Sequence, residues 1–171
     1  MTLANIISLV RIGLIPVFLY FFFSDVSYSR LWVALVFVAT GMTDALDGYL
    51  ARSRNEVSRL GTLLDPLADK LMMAAAFIAL TIAGKVPLWL PIVLIGKEVA
   101  LIIGAAFFYV SRAEVVSASV FGKSATVILY IGVTMALLDL PGSDWLINLG
   151  VAVSLVAGLD YARRALLRRN P

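Results

Sequence analysis

Thr43-Asp44-Ala45-Leu46-Asp47-Gly48-Tyr49-Leu50-Ala51-Arg52, followed after eight residues by Gly61-Thr62-Leu63-Leu64-Asp65-Pro66-Leu67-Ala68-Asp69, is the stretch on which the reading of this chain turns. Its four aspartates lie in surroundings apolar enough to cross a bilayer. One carboxylate at the centre of a membrane helix costs about 2.5–3.5 kcal/mol on insertion scales. Residues three or four apart share a helix face, so Asp44 pairs with Asp47 and Asp65 with Asp69, and on consecutive antiparallel helices the two pairs can face each other. Four converging carboxylates repel one another and take up protons unless cations sit between them. The expected cations are hard divalent ions with oxygen ligands, and two Mg2+ ions, or Mn2+ in their place, fit the donor set. Such a metal pair suits phosphoryl chemistry, because it neutralises both the attacked phosphate and the leaving one.

Composition sets the frame around this stretch. The chain has 171 residues, 61% of them hydrophobic, and a mean hydropathy of +0.97, which places it in the membrane class. Residues 1–171 are expected to form a single membrane domain. Cysteine and histidine are both absent, which excludes disulfides, thiolate metal sites, cysteine nucleophiles and the commonest general base. Acid–base and metal chemistry therefore falls to carboxylates. The net charge of +3 is small, and in an apolar chain basic residues report topology and headgroup contact rather than nucleic acid, so no nucleic-acid partner is expected.

Spanning a hydrocarbon core takes about 20 apolar residues. Six segments meet that need, at about 5–23, 30–52, 62–83, 88–110, 121–139 and 145–165, separated by turn-forming clusters such as Gly84-Lys85-Val86-Pro87 and Pro141-Gly142-Ser143-Asp144. The first segment reads as a retained helix and not a cleaved signal, since no basic region precedes it and Arg11 lies inside it. The expected fold is thus all-α, a polytopic membrane protein with six transmembrane helices. Alternate loops carry Arg52, Arg54 and Arg59, then Arg112 and Lys123, then Arg163, Arg164, Arg168 and Arg169, whereas Arg30 and Lys85 lie on the opposite side. The excess of positive charge puts both termini in the cytoplasm. Asp44 then lies roughly 12 Å below the end of its helix, near the headgroup level and within reach of a water-soluble substrate.

The other residues of the stretch extend the picture. Gly48 and Ala51 are small enough to let a ligand approach the backbone, or to let helices pack closely. Arg52 can clamp a phosphate with two hydrogen bonds, while Ser58 and Gly61 can serve a nucleotide. Arg11 either reaches out to the interface along its stem or contacts nucleotide or substrate phosphates. Lys97 and Glu98 are adjacent and so do not stack on one helix face; each is expected to find its own partner, as a structural or dimer-contact pair. A cation transporter would need polar residues along a path through the membrane, but the acidic residues here gather toward one side.

The spacing Asp44-x2-Asp47-Gly48-x2-Ala51-Arg52-x8-Gly61-x3-Asp65-x3-Asp69 resembles the signature of the CDP-alcohol phosphatidyltransferase family, with every fixed position filled. The flanking residues, with Asn5, Ser8 and Arg11 at intervals of three and Gly158-Leu159-Asp160-Tyr161 near the end, are similar to the bacterial phosphatidylglycerophosphate synthase branch. The resemblance implies a six-helix enzyme of the bacterial cytoplasmic membrane, commonly a homodimer, with its active site facing the cytoplasm. Such an enzyme transfers a phosphatidyl group from CDP-diacylglycerol to glycerol 3-phosphate and releases CMP. It implies that Asp44, Asp47, Asp65 and Asp69 hold two metal ions, and that Asp69 is also the general base. Gly48, Ala51, Arg52, Ser58 and Gly61 would bind the CDP moiety, Lys123, Arg112 and Arg163 the acceptor, and Asn5, Ser8 and Arg11 would lie near the substrate. The likeness departs at Gly122-Lys123-Ser124-Ala125-Thr126, where a second lysine is expected at 125, and at Lys97-Glu98, where an arginine is expected before the glutamate. A CMP-forming cardiolipin synthase, whose acceptor is phosphatidylglycerol, is the nearest alternative.

Overall fold

A computed structural model describes residues 3–25, 27–54, 59–110 and 120–167, and within them the side chains of 8–25, 27–43, 67–101, 103 and 122–164. Among the described residues there are six α-helices and no strands: α1 (Leu3–Phe23), α2 (Ser29–Arg54), α3 (Arg59–Ile82), α4 (Trp89–Val110), α5 (Val120–Leu137) and α6 (Ser143–Leu167). Each coincides with one of the apolar segments to within a few residues. Helices α1, α4, α5 and α6 carry their apolar residues nearly all round, the pattern of helices immersed in an apolar medium, whereas α2 and α3 also carry the charged residues of the motif. Large aliphatic side chains such as Val17, Leu35, Ile78, Ile92, Val127 and Val156 point outward from all six helices, a surface matched to hydrocarbon rather than water. Ser143–Arg164 is long and apolar enough to cross a membrane by itself; Ser8–Phe23, Ser29–Thr43 and Gly122–Leu137 are shorter apolar stretches.

The helices stop where the chain can satisfy their last carbonyls. At the end of α3, Gly84 takes φ +69°, Lys85 N–H donates to Leu80 C=O at 2.9 Å and Gly84 N–H to Thr81 C=O at 3.0 Å. This is the Schellman arrangement, with glycine in the left-handed position it tolerates best. The end of α5 repeats it through Leu140 N–H to Met135 C=O at 2.9 Å, but the left-handed residue there is Asp139, at φ 54°. A non-glycine residue is strained in that region, and Asp139 has compensation: Arg30 from α2 and Lys85 from the end of α3 both ion-pair with its carboxylate.

Inside, α1 packs on both α2 and α3, α4 lies against α3 and α6, and α5 touches α2, α3 and α6. The α5–α6 contact is the most extensive, and two glycines explain how the backbones come so near. A Cβ on Gly132 would fall 3.0 Å from the Ile147 backbone nitrogen, and one on Gly150 would fall 2.8 Å from Leu129 Cδ2. Small residues at helix contacts are the usual route to close packing in an apolar solvent, where hydrophobic driving force between helices is weak. A second line of contacts is aromatic: Phe18 of α1 meets Phe37 of α2 at 6.2 Å between ring centroids, and Phe37 stacks on Tyr130 of α5 at 4.9 Å. Such pairs add about 0.5–1.5 kcal/mol each beyond their burial, and this ladder ends at the candidate site.

Candidate active site

The motif falls on two helices packed against each other, α2 and α3. Asp44, Asp47, Gly48, Ala51 and Arg52 occupy the last three turns of α2, and Gly61, Asp65 and Asp69 the first half of α3. Intact helix across both stretches preserves the three- and four-residue spacings that place the two positions of each pair on one helix face. The side chains of Asn5, Asp44, Asp47, Gly48, Ala51, Arg52, Gly61 and Asp65 lie outside the described ones, and Ser58 and Arg112 lie outside the described residues altogether. Among the described side chains no three acidic groups converge; of the four motif aspartates, these include Asp69 alone.

Asp69 is half-buried and accepts a hydrogen bond at Oδ1 from the Tyr130 hydroxyl of α5. The Tyr130 ring has little freedom. Phe37 stacks against it, and Gly41 gives it room: a Cβ at 41 would stand 2.7 Å from Tyr130 Cε1. Phe37 and Gly41 are four residues apart on the face of α2 that continues, three residues on, into Asp44. The turn between them is polar but self-contained. Thr40 donates to Phe37 C=O at 2.6 Å, and Thr43 to Ala39 C=O at 2.5 Å and Thr40 C=O at 3.0 Å. Hydroxyls bonded back to their own helix need no other partner in an apolar bundle.

Ser8 and Arg11 lie one turn apart on α1, the helix that covers α2 and α3, and both are buried, Arg11 with 1% of its surface exposed. Arg11 therefore does not run along the outside of the bundle to the headgroups; its guanidinium is held inside. A buried guanidinium demands polar company, and neither Ser8 nor Arg11 is without a partner. Lys123 and Arg163 are exposed. Lys123 stands seven residues before Tyr130, on the same face of α5 and roughly 10 Å along it. Ala125, where the resemblance leads one to expect a lysine, is buried.

Lys97 and Glu98 each have the separate partner expected of them, and they also meet each other, Lys97 Nζ to Glu98 Oε1 at 2.6 Å. Glu98 ion-pairs with Lys70 of α3, and Lys97 donates to Ser154 Oγ of α6 at 2.8 Å, its stem lying 3.5 Å from where a Gly158 Cβ would be. Adjacent residues do not share a helix face, but long flexible side chains can turn toward each other. The network ties α3, α4 and α6 together beside Asp69.

Sequence reasoning missed Tyr130, Phe37 and Gly41. A tyrosine in the apolar run of α5 reads as a core aromatic, and its hydroxyl alone hinted at a polar partner.

The sequence matches the profile of the CDP-alcohol phosphatidyltransferase family over residues 1–156. The chain belongs to that family. It is 35% identical to the CDP-diacylglycerol–glycerol-3-phosphate 3-phosphatidyltransferase of Bacillus subtilis, over 93% of this chain and 92% of that one. It is 34% identical to a CMP-forming cardiolipin synthase of Streptomyces coelicolor, over 87% of this chain and 70% of the relative. A cardiolipin synthase of Rattus norvegicus is 44% identical over 64% of this chain and 35% of its own. Membership makes the chain a phosphatidyltransferase, and so an enzyme.

Proposed function

We propose that this enzyme transfers the phosphatidyl group of CDP-diacylglycerol to glycerol 3-phosphate, giving phosphatidylglycerophosphate and CMP. The observation that carries the choice of acceptor is the similarity to the Bacillus subtilis transferase, which runs nearly end to end in both chains. CMP-forming cardiolipin synthase is the second reading, favoured by similarity to the Streptomyces coelicolor enzyme and by alanine at 125, which leaves one fewer cation for a small doubly charged acceptor.

The residues fit two divalent ions: helix α2 supplies Asp44 and Asp47, helix α3 supplies Asp65 and Asp69, and no imidazole or thiolate competes in a chain without histidine or cysteine. Bound there, Mg2+ or Mn2+ would neutralise charge on the diphosphate as the bond breaks. The chain's own residues do the rest. Arg52 and the small residues Gly48, Ala51 and Gly61, with Ser58, hold the CDP moiety, and Lys123, Arg112 and Arg163 attract the acceptor phosphate. The acceptor hydroxyl gives its proton to Asp69 as its oxygen attacks the diacylglycerol-bearing phosphorus. The phosphorus–oxygen bond to CMP breaks, and CMP leaves with that electron pair. Direct attack is preferred to a covalent intermediate, since no cysteine or histidine is present to form one.

The same reading has residues 1–171 as one domain of six spans with both termini in the cytoplasm, supported by the basic residues that gather on one side and by the apolar exterior of all six helices. It places the active site at the cytoplasmic face of the cell membrane and the enzyme in a homodimer.

The test is CMP release by purified protein with CDP-diacylglycerol and Mg2+, with glycerol 3-phosphate, phosphatidylglycerol, serine and inositol phosphate offered separately. Release with glycerol 3-phosphate alone supports the proposal. Release only with phosphatidylglycerol replaces it with the cardiolipin synthase reading.

A further inference from the structure

The geometry points to Tyr130 as a positioning residue for Asp69: its hydroxyl fixes the plane of the Asp69 carboxylate, and so the direction from which that group meets a metal ion and the acceptor proton. The inference rests on the reading of Asp69 as metal ligand and base.

Three observations carry it. First, the bond joins elements distant in sequence: Tyr130 lies on α5 and Asp69 on α3, 61 residues apart. The terminal torsion of an aspartate is broad, so a carboxylate without a fixed donor would rotate among several directions. Second, the donor is itself held, stacked on Phe37 at 4.9 Å and seated over Gly41, where even a methyl group would stand 2.7 Å from the ring. Phe37 and Gly41 lie on α2 two turns and one turn before Asp44, so a single aromatic side chain sets α2, which carries two of the aspartates, against α3, which carries the other two. Third, the donor is neutral. A lysine or arginine in this place would orient Asp69 equally well but would bring a positive charge that competes with a cation, whereas a phenol orients the carboxylate without adding one.

The bland account is that an apolar bundle only needs some acceptor for a buried phenol. The two accounts differ in what Tyr130→Phe does. That variant keeps the ring in its seat and removes only the donor. Binding of Mn2+ to the purified enzyme, followed by the loss of the free-ion electron paramagnetic resonance signal, is expected to weaken by roughly tenfold. The kcat for CMP release is expected to fall by a similar factor, with KM for CDP-diacylglycerol within about twofold of the parent. Gly41→Ala keeps the hydroxyl but forces the ring from its seat, and is expected to move the same two quantities in the same direction. It carries the test if Tyr130→Phe does not fold. Mn2+ affinity and kcat at parental values in whichever variant folds would overturn the inference.

Asp69→Asn separates this inference from the reading beneath it. If that variant binds Mn2+ and turns over like the parent, the assignment of Asp69 fails and the role of Tyr130 with it. If Asp69→Asn is inactive while Tyr130→Phe is parental, only the positioning role fails. Adding Tyr130→Phe to Asp69→Asn is expected to cause no further loss of Mn2+ affinity, since the donor then has no charged group to orient.

Discussion

Two aspartates in this bundle are each gripped from another helix, and they differ in how their charge is met. Asp139, at the end of α5, has two cations for one carboxylate, Arg30 and Lys85, and these close a clasp between the start of α2, the end of α3 and the end of α5. Asp69, on α3, receives a neutral phenol in a motif that sets four aspartates against one arginine, Arg52. A carboxylate balanced by the protein's own cations is spent on holding helices together. A hydrogen bond from a neutral phenol orients a carboxylate without adding a positive charge to it, which suits a group that is to bind a metal or take a proton. The contrast separates a structural from a chemical use of the same side chain, and substitutions at the two ends should give opposite phenotypes.

The largest effect is expected at the chemical end. Asp69→Asn should lower kcat for CMP release by about 10^2–10^4-fold, the usual worth of a general base, while CDP-diacylglycerol still binds and the melting temperature hardly changes. Asp44→Asn and Asp65→Asn should abolish activity through loss of metal affinity, seen as loss of Mn2+ binding. Near-normal turnover of the Asp69 variant would dissolve the contrast, since Asp69 would then be structural too. Next in size comes packing between the ends. Gly132→Ala would bring a methyl group to 3.0 Å from the Ile147 backbone nitrogen, and because backbone cannot swing aside, α5 and α6 must part. Overpacking of this kind costs about 1–3 kcal/mol, to be read as a lower melting temperature in detergent with kcat little changed.

How far this could be read in advance follows the range of the interactions. The helices were legible because apolar runs and turn clusters are local: Gly84 ends α3 where the turn chemistry of Gly84-Lys85-Val86-Pro87 says it should. The motif was legible because its spacing lies within two helices. Tyr130 was not, since what makes it functional is an aspartate on another helix, and a tyrosine in the apolar sequence around it looks like core. Gly41 is similar: its meaning is a ring 89 residues further on. Arg30 and Lys85 were read only as the few basic residues on the opposite side, and Asp139 as the last residue of a helix, because a clasp among three helix ends has no local pattern. Lys97 and Glu98 were each expected to have a partner of their own, and do, in Ser154 and Lys70; only their contact with each other was not legible, because long side chains reach past the helix face they start from.

The smallest effect, and the sharpest check on the structural end, is the response of the Asp139 clasp to pH. A hydrogen bond from Lys85, followed by the charges of Lys85 and Arg30, holds the Asp139 carboxyl below its ordinary value, outweighing partial burial, which acts the other way. A carboxyl whose folded value is depressed binds protons more tightly in the unfolded chain, so its contribution is complete above the ordinary carboxylate value of about 3.9. It declines as pH falls past that point and is gone below the folded value. Asp139→Asn should therefore lower the melting temperature at pH 7 by a degree or two at most, roughly what exposed pairs contribute, with CMP release unaffected. As pH falls below about 4 the parent should lose this margin and the two melting curves should converge. The left-handed backbone at Asp139 supplies a control: Asp139→Gly removes the same charges but also relieves the strain of φ 54°. At neutral pH it should melt above Asp139→Asn, and parallel curves for parent and Asn variant through the acid range would mean that the clasp's charges contribute nothing and its geometry everything.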